Sequence, residues 1–181
     1  MRVITGSARG RKLKTPPKDD VRPTADSVKE AVFNILRDDV EGRRVLDLFA
    51  GTGQMGIEAL SRGAREAVFV DSSLPSLKLV KENLELCRFS AQVVRSDAVS
   101  YLKGLAGRQG GKFDVIFIDP PYDAGLYAPV LETINFIDIL NEGGIITVES
   151  RADCEIPEMA EPYRMLKRYR YGKVAITTFT R

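Results

Sequence analysis

The sequence predicts an α/β domain built on a mostly parallel sheet, and three observations carry that prediction. Short, almost wholly apolar runs alternate with stretches of helical periodicity through the middle of the chain, as strands covered by helices on both faces do. Acidic residues close successive apolar runs, at Asp71, Asp97 and Asp119. A glycine-rich turn, "GTGQMG" at 51–56, follows the first central run and leads into a helical one.

Taken in order, "MRVIT" and "RKLKTP" flank "GSARG", a pattern that suits a small hairpin, and "PPKDDVRP" is a turn-rich linker. Ser27 opens "SVKE", a candidate capping box with Glu30 ahead of the helical "AVFNIL"; Thr24 is a rival cap. "RVLDLF" (44–49) is a strand, "GQMGIEALSRG" (53–63) a helix with Ile57 and Leu60 on one side, and "EAVFVD" (66–71) the next strand. "SLKLVKENLEL" (76–86) puts Leu77, Val80 and Leu84 on a common helical face, and "AQVVRSD" (91–97) is short and extended. "FDVIFIDPPY" holds the most apolar strand, and "GGIITVES" (143–150) is another. The segment 163–181 changes character: two extended stretches broken at Tyr171-Gly172 predict a hairpin, and so an antiparallel edge on the parallel sheet.

Composition narrows the chemistry. At 181 residues the chain is long enough to close a core without metals or disulfides. It has no histidine, which removes His-based triads and bases, and its two cysteines, Cys87 and Cys154, suit neither a disulfide framework nor a Cys-rich metal site. A reducing, cytoplasmic setting fits, and no apolar run approaches the roughly 18 residues of a membrane span. Lys and Arg number 27 against 25 Asp and Glu, but residues 1–18 carry six basic side chains and no acidic one, and six more follow Glu161 with none. Two basic patches therefore bracket a balanced middle.

Gly51, Gly53 and Gly56 satisfy G-x-G-x-x-G, and Asp71 follows Gly51 by 20 residues, the literal fingerprint of a dinucleotide site. Asp47 argues against that version. A carboxylate at the end of the first central strand repels a pyrophosphate approaching the helix N-terminus, but it can orient the ammonium of a ligand without phosphate. S-adenosyl-L-methionine is such a ligand. In this reading Asp71 accepts from the ribose hydroxyls and Asp97 from the adenine amine, while the glycines allow close backbone approach. The alternatives are that the glycine turn is architecture and that Asp71 or Asp97 is a helix cap.

"DPPY", 119–122, closes the fourth strand of the central series on the same rim. Pro120 and Pro121 fix φ and donate no amide hydrogen, so their carbonyls are acceptors on a stiff backbone. The Asp119 carboxylate and the Pro120 carbonyl can hold the two hydrogens of a planar amine while Tyr122 stacks on the attached base. That amine is a poor nucleophile because its lone pair is conjugated, so holding it pyramidal and in line with a methyl donor is the catalytic task. The bland reading is a proline-stiffened loop with a packed or surface tyrosine.

Together "DLFAGTGQMG", "VD" at 70–71, "SDA" at 96–98 and "DPPY" resemble the S-adenosylmethionine-dependent amino-methyltransferases. At the ends, "MRVITGSARGRKLKTPP", "RPTADSVKEAVFNIL" and "GIEALSRGA" are similar to the RsmD family, bacterial enzymes that methylate the N2 amine of one guanine in 16S rRNA, and the similarity covers essentially the whole chain. It implies a class I, Rossmann-like methyltransferase domain over 1–181. The sheet is then seven-stranded in the order 3-2-1-4-5-7-6, with residues 1–22 as an RNA-binding hairpin and linker. The implied cofactor positions are Asp47, Phe49, Gly51, Gly53, Asp71, Ser72, Asp97 and Ala98, for S-adenosyl-L-methionine and its product S-adenosyl-L-homocysteine, with no metal. The implied catalytic positions are Asp119, Pro120, Pro121 and Tyr122. The expected substrate is 16S rRNA within an assembled or nearly assembled 30S subunit, for a monomer with no membrane partner. Adenine or cytosine in DNA, or another RNA, is the alternative, since the four-residue motif recognises an amine rather than a ring. Gln54, Met55 and Pro75 depart from the family pattern.

In this light Arg2, Arg9, Arg11, Lys12 and Lys14 become candidate phosphate contacts, with Arg22 and Thr24 approaching the rim; a solvated positive face is the alternative. Contacts of that kind position RNA and make binding salt-dependent without identifying the base. The basic, Tyr-containing stretch from Tyr163 to Lys173 is either a further contact or an edge strand kept from aggregating by charge.

Overall fold

A computed structural model describes residues 1–16, 26–37, 39–107, 111–122 and 124–181. In chain order the elements are α1 (Asp26–Leu36), β1 (Arg44–Leu48), α2 (Gln54–Ser61), β2 (Glu66–Asp71), α3 (Leu74–Cys87), β3 (Gln92–Arg95), α4 (Ala98–Lys103), β4 (Phe113–Ile118), α5 (Tyr127–Ile137), β5 (Leu140–Arg151), β6 (Arg164–Tyr171) and β7 (Val174–Thr180). The seven strands form one sheet in the order β3-β2-β1-β4-β5-β7-β6. The first four neighbour pairs are parallel, and β7 runs antiparallel to both β5 and β6. This is the class I methyltransferase sheet, with the expected antiparallel hairpin at its edge.

Alternation along the buried strands feeds two cores. Val45, Ala67, Phe69, Val115, Phe117 and Ile176 face one side of the sheet, where α1, α2 and α3 supply Phe33, Ile57 and Val80. Leu46, Leu48, Val68, Val70, Ile116, Ile118 and Val148 face the other, against Leu102 of α4 and Val130, Leu131 and Ile134 of α5. Two covered faces explain the unbroken apolar runs. Gly56 is where α2 meets β2: a Cβ there would lie 2.3 Å from the Phe69 ring. The third glycine of the loop thus serves packing.

Two local readings are corrected. α1 begins at Asp26, so Ser27 lies inside its first turn and is not the cap; Asp26 instead stands 3.9 Å from Lys29. The rival cap, Thr24, lies outside the described residues. β5 begins at Leu140, earlier than the glycine pair at 143–144 suggested, because the register shift between Phe113 and Val115 lets Leu140 pair with Phe113.

The N-terminal segment forms the expected small hairpin, bridged antiparallel between Arg2 and Lys12. Its seat is specific. Glu58 of α2 accepts from the Ile4 and Thr5 amides at 2.8 and 3.0 Å, Ser61 accepts from the Ser7 and Ala8 amides, and Asn83 of α3 accepts from the Lys14 amide at 2.7 Å. Gly6 packs so closely that a Cβ would lie 1.7 Å from the Ser61 carbonyl oxygen.

Candidate active site

The carboxyl ends of β1, β2, β3 and β4 make one rim. Parallel pairing sets Asp71 beside Arg95, and β1 brings Leu48 level with Val70 on one side and Ile118 on the other. Beyond those ends a cleft of about 100 Å³ is lined by Phe49, Asp71, Ser72, Asp97 and Ala98, five of the eight cofactor positions read from the sequence, together with Ser96, Val99 and Leu126. Phe49 holds a positive φ of 67°, a conformation that costs a non-glycine residue roughly 1–3 kcal/mol and is tolerated where surroundings impose it. Apolar walls with acids at the edge suit a purine nucleoside.

The three acids differ in what occupies them. Asp71 accepts from the Gly51 amide and from the Ser73 amide, both at 2.8 Å, tying the glycine loop to the start of α3. Asp97 is exposed and caps α4, accepting from the Ser100 amide at 2.8 Å; that amide is the main cause holding its carboxyl below the usual range. The cap alternative is therefore real for Asp97, and the residue lines the cleft as well. Asp47 does not line it. It is buried beneath the loop and accepts from the Gly56 amide at 2.9 Å. Burial pushes its carboxyl up to about 7 against that hydrogen bond, with the Asp71 charge adding to the rise.

Gln54 supplies an independent clue. Its Oε1 is buried with no hydrogen-bond partner among the described residues. A buried acceptor without a donor is costly, and here it stands in the same loop as Gly51 and Gly53. The unmet need is for a donor, which suits a ligand ammonium rather than a phosphate. An acceptor at this place fits the ammonium end of S-adenosylmethionine. Among the described residues no group of three or more His, Cys, Asp and Glu is arranged to hold a metal ion, and no helix is long and apolar enough to cross a membrane.

At the end of β4, Asp119 is half-buried, Pro120 buried and Pro121 exposed. Tyr122, half-buried, donates its hydroxyl to Glu149 Oε1 at 3.1 Å, and the Tyr127 hydroxyl donates to the Glu149 carbonyl at 3.1 Å. Burial first, then nearby Cys154, Asp119, Tyr122 and Glu149, raises the Tyr127 phenol far above its ordinary range and keeps it a donor. Sequence reading missed Glu149 and Tyr127. The signal for Glu149 was available: it is an acid near the carboxyl end of the next apolar strand, the same feature that singled out Asp71.

The basic candidates Arg2, Arg9, Arg11 and Lys12 are exposed on the hairpin. Lys14 is exposed too, but its ammonium donates to Glu82 at 2.9 Å. Arg22 and Thr24 lie outside the described residues. The hairpin base adjoins the glycine loop: Thr52 donates to Met1 Sδ, and Asn83 bridges the Lys14 and Thr52 carbonyls.

A model of the family described as "Conserved hypothetical protein 95" matches residues 1–180. The chain is 40% identical over 181 residues to YlbH of Bacillus subtilis, covering 99% of this chain and 98% of that one. It is 35% identical over 185 residues to ribosomal RNA small subunit methyltransferase D of Escherichia coli, covering 100% and 90%. The solved structure of yhhF from Escherichia coli superposes with a TM-score of 0.88 at 31% identity, covering 100% and 97%.

Proposed function

The chain belongs to the RsmD family, and on that premise we propose that it transfers a methyl group from S-adenosyl-L-methionine to the exocyclic N2 amine of a guanine in 16S rRNA, acting in the cytoplasm on an assembled or nearly assembled small subunit. The observation that carries the reading is the coincidence on one rim of two things: a cleft edged by Asp71 and Asp97, and the Asp119–Tyr122 turn braced by Glu149. A relative 35% identical is named for methylation of small-subunit ribosomal RNA, which supports the substrate class.

Phe49, Ser72, Ala98 and the two acids of the cleft would hold the adenosine part, and Asp47, Gly51, Gly53 and Gln54 the loop beside its amino-acid part. The bound cofactor supplies a methyl carbon made electrophilic by the adjoining sulfonium. The chain's own work is on the amine. Asp119 and the Pro120 carbonyl accept its two hydrogens, which favours a pyramidal nitrogen and turns the lone pair outward. Tyr122 stacks on the base, and Glu149, by accepting from its hydroxyl, fixes the ring's orientation. Positioning and electrostatics lower the barrier without covalent catalysis. Asp119 then takes the proton released when the new N–C bond has formed.

Asp119→Ala tests this division of labour. Single-turnover methyl transfer should fall by roughly 10²–10³, the cost of losing one preorganised polar contact in the transition state, while S-adenosylhomocysteine binding followed by calorimetry stays within a few-fold of wild type. Turnover unchanged by the substitution would remove Asp119 from the reaction.

A further inference from the structure

Away from the rim cleft, α1 and β6 enclose a groove of about 560 Å³ whose walls include Ser27, Asn34 and Arg37 on one side and Lys167, Tyr169 and Tyr171 on the other. The three β6 residues are alternate positions, so they share one face of the strand, the face that borders the groove beside α1. Lys167 Nζ lies 4.9 Å from the centre of the Tyr169 ring, and Tyr171 is 40% exposed. Among the described residues Glu30 is the one acid in the groove's lining, against Arg37 and Lys167.

Register ties the groove to the reacting rim. Tyr169 pairs with Ile176 of β7, and Ile176 pairs in turn with Glu149 of β5, the residue that accepts from Tyr122. Tyr169 therefore stands level with Glu149 two strand spacings away, roughly 10 Å at ~4.8 Å each, on the same face of the sheet. Charge alone would protect an edge strand from pairing. It does not account for two adjacent rings at the rim end, open to a groove and flanked by Lys167 and Arg37.

We infer that this groove is a second RNA-contact surface, in which Tyr169 and Tyr171 stack on unpaired bases beside the target nucleotide and Lys167 and Arg37 meet its flanking phosphates. The inference rests on the RNA substrate proposed above. Adjacent rings flanked by cations suit single-stranded RNA: stacking tolerates any base, and the cations meet the backbone. The base of the hairpin, which adjoins the glycine loop, would meet a further stretch of the same strand.

The test is direct binding, measured by filter retention across a salt series, of 16S rRNA and of small subunits to wild type, Lys167→Ala, Lys167→Arg, Tyr171→Ala and Tyr171→Phe, each first checked for wild-type melting and S-adenosylhomocysteine binding. Tyr171→Ala should weaken binding by roughly 5- to 150-fold, the range that stacking on one base carries, and Tyr171→Phe should restore it. Lys167→Ala should reduce the salt slope by ~0.7 for the lost phosphate, and Lys167→Arg should restore it. Affinity and slope unchanged in both alanine variants overturn the groove. Weakening confined to the particle, with naked rRNA bound as before, also overturns it, by assigning the groove to a protein of the subunit. Methyl transfer on the same preparations separates the two proposals: variants that bind normally while wild type methylates rRNA sink the groove alone, and groove-dependent binding without any transfer sinks the reaction alone.

Discussion

Asp47 shows what a sequence can and cannot say about one side chain. Its type and place, a carboxylate just before a glycine loop, were legible and pointed away from a pyrophosphate. Its depth was not: the side chain is buried and spends a hydrogen bond on the Gly56 amide, a contact that only the closed loop creates. Burial raises its carboxyl to about 7, so in the folded state it holds its proton to higher pH than in the unfolded chain. Below pH 4 both states are protonated and nothing is lost. Between pH 4 and 7 the unfolded chain ionises first, and stability falls until the folded carboxyl has ionised too. Asp47→Asn, which can still accept from Gly56, should remove this group's part of that decline, so that its melting temperature relative to wild type is higher at pH 8 than at pH 5. Parallel melting curves at the two pH values would show that burial does not govern this carboxyl. Gln54 was noticed only as a departure from the family pattern; its orphaned oxygen emerged once the loop was folded.

At the scale of elements, strands β1, β2 and β4 and helices α2 and α3 were legible because each carries its apolar period, whereas the short α4 was not read. The N-terminal hairpin was visible in "GSARG", but its seat was not, since its partners Glu58, Ser61 and Asn83 are more than 50 residues away in sequence. Glu58 is the centre of that seat. It is fully buried, accepts from two hairpin amides and from Arg62, and stands 3.7 Å from the buried Lys29, whose ammonium donates to the Arg2 carbonyl. Burial lowers the Lys29 ammonium and Glu58 opposes that fall. Removing one partner of a buried pair costs ~3–5 kcal/mol, so Glu58→Ala should lose about that much in chemical denaturation, and the Ile4 and Thr5 amides should lose their protection from hydrogen exchange. A variant as stable as wild type with those amides still protected would show that the apolar contacts of Val3 and Leu13 hold the hairpin unaided.

At the scale of the whole molecule, the mostly parallel sheet and its antiparallel edge follow from patterns that a single sequence carries: acids closing apolar runs, a glycine turn, and a terminal segment with hairpin chemistry, whereas the strand order was implied only by the family resemblance. What escaped was every arrangement made by register between distant strands. The bracing of Tyr122 by Glu149 joins β4 and β5, and the groove at α1 joins the chain's first helix to its edge strand; neither pairing leaves a local mark. The molecule that results puts the cleft of Asp71 and Asp97 and the Asp119–Tyr122 turn on one rim. The central claim, that this rim methylates the N2 amine of a guanine in 16S rRNA, is tested most directly by transferring labelled methyl from S-adenosyl-L-methionine to naked 16S rRNA and to unmethylated small subunits, then digesting to nucleosides and separating them. The account predicts label in N2-methylguanosine, with the small subunit the better substrate; label in N6-methyladenosine, or none in either RNA from protein that binds the cofactor, would contradict it.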